Sequence, residues 1–181
     1  MLATLYNTGA RVSEITALQV ADVDLERSRS ITLHGKGRKE RLIPLWKNTA
    51  SQLRQWLHDT GGDARDPVFP NRQGGRMSRA GVEFRLHRAV TTAAEACPSL
   101  CGRAVSPHTL RHTTAMHLLQ SGVAPTVIAL WLGHESPTTT HIYVEADLAM
   151  KERALAALDE PTCRPVRYSP PDALLAFLEG L

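Results

Sequence analysis

Cysteine is scarce, with three residues in 181: Cys97, Cys101 and Cys163. So small and odd a set makes a poor disulfide framework and falls short of the four ligands of a structural zinc site, so free thiols in a reducing compartment are expected. Long apolar runs are also missing. No stretch approaches the ~18 to 20 residues needed to cross a bilayer, and the N-terminus lacks a basic stretch leading into an apolar core and a small-residue cleavage site. No membrane partner and no secretion are therefore expected. Lysine is the third scarcity, at 4 residues against 17 arginines. No internal repeat or low-complexity tract is present. What remains is an ordinary globular composition, 43% hydrophobic and 22% charged, at a length of about one domain.

The positive charge is unevenly placed. The net charge is +3, but residues 1–143 carry 17 Lys and Arg against 11 Asp and Glu, whereas residues 144–181 carry 4 against 7. The basic part suits a polyanion, and arginine is the side chain whose planar fork matches phosphate oxygens two at a time. A GC-rich genome gives the same arginine excess through its codons, so motifs have to decide.

Periodicity and capping signals define the elements. A helix spans Leu2 to Asn7 with Gly9 as its stop, and a second starts near Ser13 and runs through Ile15, Leu18 and Gln19. Ile31 and Leu33 alternate with polar residues before a basic turn from Gly35 to Lys39, and Leu42, Ile43 and Leu45 follow, which together read as a hairpin with cations at its tip. Leu53, Trp56 and Leu57 mark a helical face. Thr60 to Gly75 reads as a loop interrupted by Val68 and Phe69, and a helix follows from Ser78 to Ala96. Ser106 and Pro107 open a helix that stops at Gly122, and Pro125 opens another that ends near Gly133. Further helices are expected over Thr138 to Val144 and Leu148 to Leu158. Prolines break the chain from Pro161 to Pro171, and Asp172 to Leu181 forms a last short helix with one apolar side.

His108 and Arg111 sit three apart in the first turns of the helix opened by Ser106, so they share a face near a helix N-terminus, a place suited to phosphate. Alone this is weak, since such a pair arises roughly once by chance in a chain of this composition. A zinc reading of His108 and His112 fails because HTLRH lacks the Glu of the metalloprotease pattern. His112 and His117 read as packing or hydrogen-bonding residues, and Tyr6 as core. Specificity comes from the ordered set: TGARVSE at 8–14, GKGRKERLIPL at 35–45, PHTLRH at 107–112, WLGH at 131–134 and THIY at 140–143.

In these motifs, over residues 2–158, the chain resembles the catalytic domain of the tyrosine recombinases, the phage-integrase and Xer-like family. The resemblance implies an α+β, mainly α-helical domain with a small antiparallel β-hairpin or sheet, occupying residues 1–159, followed by a proline-broken linker and docking helix at 160–181. It implies a site-specific recombinase or integrase that cleaves and rejoins double-stranded DNA through a 3′-phosphotyrosine, as in integration or transposition of mobile elements. Arg11 and Arg111 correspond to the two arginines that grip the scissile phosphate, and Lys36 to the hairpin lysine. His108 and His134 correspond to the two family histidines, and Tyr143 to the nucleophile. No cofactor or metal is implied, and the implied location is the cytoplasm, on the nucleoid. Assembly on DNA as a homo-oligomer is implied too, with the helix Asp172 to Leu181 exchanged between protomers.

The match also departs from the family. Only ten residues precede Arg11, where family members carry more catalytic-domain helix and a separate helical domain upstream, so an N-terminally shortened catalytic domain is expected. A non-catalytic DNA-binding or regulatory remnant is the alternative, and a type IB topoisomerase-like enzyme, which shares the tyrosine chemistry, is a third reading.

Overall fold

A computed structural model describes residues 1–35, 39–133, 152, 154–156 and 158. Helices α1 (Leu2–Thr8) and α2 (Val12–Ala17) lead into a sheet of β1 (Val23–Asp24), β2 (Ser30–His34) and β3 (Glu40–Pro44). Then come α3 (Lys47–Thr60), α4 (Arg79–Ala96), α5 (Pro107–Gln120) and α6 (Pro125–Leu132). The mainly helical α+β architecture matches the expectation from sequence. The sheet is antiparallel in the order β1-β2-β3 and so has one strand more than the expected hairpin. Only two residues long, β1 is too short to show a period-two pattern in the sequence.

The expected helix openings at Ser78 and Ser106 are present. The Ser78 side chain accepts from the Gly81 N–H at 3.1 Å, and that of Ser106 accepts from the Thr109 N–H at 3.1 Å, with Pro107 in the first turn where no amide donor is needed. The second helix differs from expectation at both ends. Its N-cap is Arg11 rather than Ser13, because the Glu14 carboxylate reaches back to accept the Arg11 N–H at 2.7 Å. It stops at Ala17 because the Leu18 carbonyl accepts from the Val68 N–H at 2.9 Å, and Gln19 pairs with Pro67. This tertiary pairing draws the chain out of the helix.

One apolar cluster joins all these parts. Leu5, Ile15, Ile31, Ile43, Leu118 and Trp131 are each no more than 1% exposed, and Ala154, Leu155 and Leu158 close onto the same core. Two buried polar ties hold α1 in place. Asn7 donates to the Pro44 carbonyl and accepts from the Trp46 N–H, and Thr114 on α5 donates to the Tyr6 carbonyl at 2.5 Å. Tyr6, half-buried against the core, also bonds the His117 ring, so both residues do the packing and hydrogen-bonding work expected of them.

Gly9 ends α1 with φ +58°, and a Cβ there would lie 2.4 Å from Leu132 Cδ2. The glycine therefore serves both a left-handed cap and a close approach of α1 to α6. Gly9→Ala is expected to cost about 1 to 3 kcal/mol, combining backbone strain with overpacking. Thermal denaturation of the variant should show a midpoint lower by several degrees; an unchanged midpoint would contradict the packing described.

The expected helices at Thr138 to Val144 and Asp172 to Leu181, most of Leu148 to Leu158, the Pro161 to Pro171 stretch and the division at residue 159 lie outside the described residues.

Candidate active site

The C-terminal ends of α1 and α6 converge, and their carbonyl oxygens need donors. Arg111, on α5, supplies them. Its guanidinium donates to the Gly9 carbonyl at 2.6 Å and to the Leu132 carbonyl at 2.8 Å, and the residue is 7% exposed. These bonds occupy two of the five N–H donors of the fork, so Arg111 keeps capacity for a further acceptor while its plane is fixed. Burial, then the nearby charges of Arg11 and Arg41, push its pKa down to about 10, against an opposing pull from Glu14. The side chain therefore stays cationic at neutral pH, held close to like charge.

Glu14 organises the other two arginines. Arg41 pairs with it through two parallel bonds, 2.8 Å and 2.6 Å, and donates its Nε–H to the Trp131 carbonyl at 3.0 Å. Both partners are buried, Arg41 at 8% and Glu14 at 5% exposure. Arg11 donates from the solvent side, to Glu14 at 3.2 Å and to the Gly133 carbonyl at 3.2 Å, with 44% of its side chain exposed. Burial pushes the Glu14 carboxyl up, but the Arg41 hydrogen bonds and charge, with the Arg11 amide and charge, outweigh it and hold it below its ordinary value. Three guanidinium groups around one carboxylate leave two net positive charges, and one of the three opens to solvent. Such a cluster suits an anion.

Gly133 belongs to this cluster. It caps α6 at φ +67°, and a Cβ there would lie 3.0 Å from the Arg41 guanidinium. The glycines of TGAR and WLGH thus have physical roles: they let α1, α6 and the buried arginine close on one another. His108 is exposed in the first turn of α5, one turn from Arg111.

Of the six residues expected from sequence, the structure brings Arg11 and Arg111 into one cluster, with His108 on the Arg111 helix. Lys36, His134 and Tyr143 lie outside the described residues. The described neighbours of Lys36 and His134 lie at the cluster: a Cβ on Gly35 would lie 3.7 Å from Glu14 Oε1, and Gly133 accepts from Arg11. Arg11 does not cap the end of α1; that carbonyl work falls to Arg111.

Sequence reasoning missed Arg41 and gave Glu14 no part in the site. A signal for Arg41 was present. Residues 41 and 43 share one face of β3, and Ile43 is buried, as is Leu45 just past the strand, so alternation sends Arg41 inward opposite Leu33 while Leu42 faces out at 37% exposure. A buried arginine requires a carboxylate, and Glu14 supplies it.

Comparison with known proteins bears on the family and the fold. The model of the phage integrase family matches residues 1–150. The chain is 46% identical over 180 residues to the integrase/recombinase y4rC of Sinorhizobium fredii, covering 99% of this chain and 54% of that protein. It is 37% identical over 147 residues to the tyrosine recombinase XerC of Xanthomonas campestris, covering 81% and 44% respectively. Among solved structures, the XerH site-specific recombinase bound to difH substrate in a pre-cleavage complex aligns with a TM-score of 0.63 and 28% identity, over 78% of this chain and 40% of that one. The chain thus spans about half the length of the curated relatives it matches. With the family model covering most of its residues and the arginine cluster built from that model's segment, this chain belongs to the phage integrase family.

Proposed function

We propose that this chain carries the strand-cleaving site of a site-specific DNA recombinase or integrase, with Tyr143 as nucleophile and a 3′-phosphotyrosine as the intermediate. The observation that carries the reading is the cluster of Arg11, Arg41 and Arg111 around Glu14, which holds two excess positive charges in rigid, partly desolvated positions. A phosphodiester resists attack because it is anionic, and forks fixed in advance both position it and stabilise the added charge of the transition state. Arg11 and Arg111 grip the non-bridging oxygens. Glu14, itself held by Arg41, positions Arg11, and the Gly9 and Leu132 carbonyls position Arg111.

A phenol has a pKa near 10, so Tyr143 gives up its proton as its oxygen bonds to phosphorus, and His108 accepts it. The bond to the 5′-oxygen breaks, Lys36 protonates that oxygen, and His134 hydrogen-bonds the phosphate. The phosphotyrosine keeps the free energy of the broken bond, so a 5′-hydroxyl of another strand can reverse the step. Duplex DNA as the partner is supported by the exposed arginines before and on α4, Arg72, Arg76, Arg85 and Arg88, which are accessible to backbone phosphates. Also supporting it is the difH substrate to which the similar XerH site-specific recombinase is bound. Residues 1–159 form this catalytic unit. Protomers assemble on DNA through the helix Asp172 to Leu181.

The test separates leaving-group protonation from phosphate binding. Lys36→Ala is expected to cleave ordinary substrate poorly and to recover when sulfur replaces the bridging 5′-oxygen, because a thiolate departs without a proton. Arg111→Ala should gain nothing from sulfur. Single-turnover cleavage of both substrates measures this, and equal rescue of both variants, or of neither, would overturn the role given to Lys36.

A further inference from the structure

His108 and His112 lie four apart on α5, and their Nε2 atoms approach to 2.5 Å with ring centroids 4.0 Å apart and planes at 85°. The capping box of Ser106 and Thr109, with Pro107 at the first position, fixes the turn from which His108 projects. A hydrogen bond between two imidazole nitrogens needs one proton and one lone pair, so the two rings cannot have the same protonation at Nε2.

Two assignments satisfy that rule. If His112 donated, the Nε2 lone pair of His108 would be spent on it and His108 would carry its own proton on Nδ1, leaving no lone pair to receive a proton. If His108 donates, its Nδ1 keeps a lone pair. We infer that His112 is a positioning residue for the strand-cleavage reaction: it accepts the Nε2–H of His108 and so makes Nδ1 of His108 the atom that takes the tyrosine proton. This rests on the reading of His108 as the base.

The step balances. The phenolic proton of Tyr143 moves to His108 Nδ1, the phenolate oxygen forms the bond to phosphorus, and His108 becomes a cation that keeps its Nε2–H on His112. The arrangement has the logic of a catalytic triad's orienting group, with a neutral imidazole in place of a carboxylate. It also dictates the state of His112 itself. With its Nε2 accepting, neutral His112 carries its single proton on Nδ1, the less common form of histidine in water.

Long-range proton–nitrogen correlation spectra of the whole chain, ring nitrogens labelled and at a pH where both histidines are neutral, read these forms directly. The expected result is an Nδ1–H His112 and an Nε2–H His108. In single-turnover cleavage, His112→Leu should slow the reaction by about 10- to 100-fold, the usual cost of removing an orienting partner. His112→Gln, whose amide oxygen can accept the same proton, should recover most of that loss. An Nε2–H His112 in the wild type, or a Gln variant no faster than the Leu variant, would overturn the inference while leaving the base reading intact. The expected ring forms together with undiminished cleavage by His108→Ala would instead overturn the base reading, and the role given to His112 would go with it.

Discussion

Arg111→Ala is expected to reduce strand cleavage by at least about 10²- to 10³-fold, the usual cost of removing one fixed donor from a developing oxyanion. The expectation follows from how the side chain is held. Its bonds to Gly9 and Leu132 fix the guanidinium between two helix ends, so the remaining donors meet the phosphate without reorganising. Removing it also strands two carbonyl oxygens, at about 1 to 3 kcal/mol for each one left buried and unsatisfied. The thermal midpoint should therefore fall along with the rate. Arg111→Lys separates the two effects. It keeps the charge but has no planar fork to span both carbonyls and a phosphate, so it should restore part of the stability and little of the rate. A Lys variant that cleaves like the wild type would show that charge alone, not the held fork, is what the site uses.

The second large effect belongs to the buried pair. Glu14→Ala leaves the buried Arg41 charge uncompensated and is expected to cost about 3 to 5 kcal/mol, enough to unfold a marginal domain at physiological temperature; Arg41→Ala should cost less, because Arg11 still pairs with Glu14 at 3.2 Å. Replacing both with apolar residues of similar volume should cost much less than the two single changes together, because no charge is then stranded. Cleavage should not return with the fold, since Arg11 loses its Glu14 contact. The pH dependence has a definite sign. The Glu14 pKa is depressed in the folded state, so its stabilisation is present above its ordinary value of 4.5 and is lost as pH falls through the lower folded value. Denaturant titrations from pH 3 to 7 should therefore show a steeper acid loss in the wild type than in Glu14→Gln. Parallel acid limbs would mean that the ion pair does not set acid stability.

What could be read from sequence was local. Ser78, Ser106 with Pro107, Gly9 and Gly133 announce helix ends because a cap depends on residues within one turn. The ends of α2 were not legible, since they depend on Glu14 reaching back to Arg11 and on Val68 pairing with Leu18 across fifty residues of chain. Arg11, Arg111 and His108 were legible from the ordered motifs. Arg41 was hidden because its burial is a consequence of sheet register, which aligns it with Leu33, and of a partner on another helix. The same limit applied to the histidines. Spacing puts His108 and His112 on one face, but only the ring geometry shows that they share a hydrogen bond.

The most direct measurement is capture of the covalent intermediate. A suicide DNA substrate, nicked so that the strand beyond the cleaved bond diffuses away, should trap the protein on DNA, and peptide mapping of the adduct should place the phosphodiester on Tyr143. Tyr143→Phe should bind the same DNA and form no adduct. A bond mapped to Tyr6 or Tyr168, or an adduct formed by the Phe variant, would contradict the assignment of the nucleophile; a wild-type protein that binds its DNA site and never becomes attached would contradict strand cleavage by this chain.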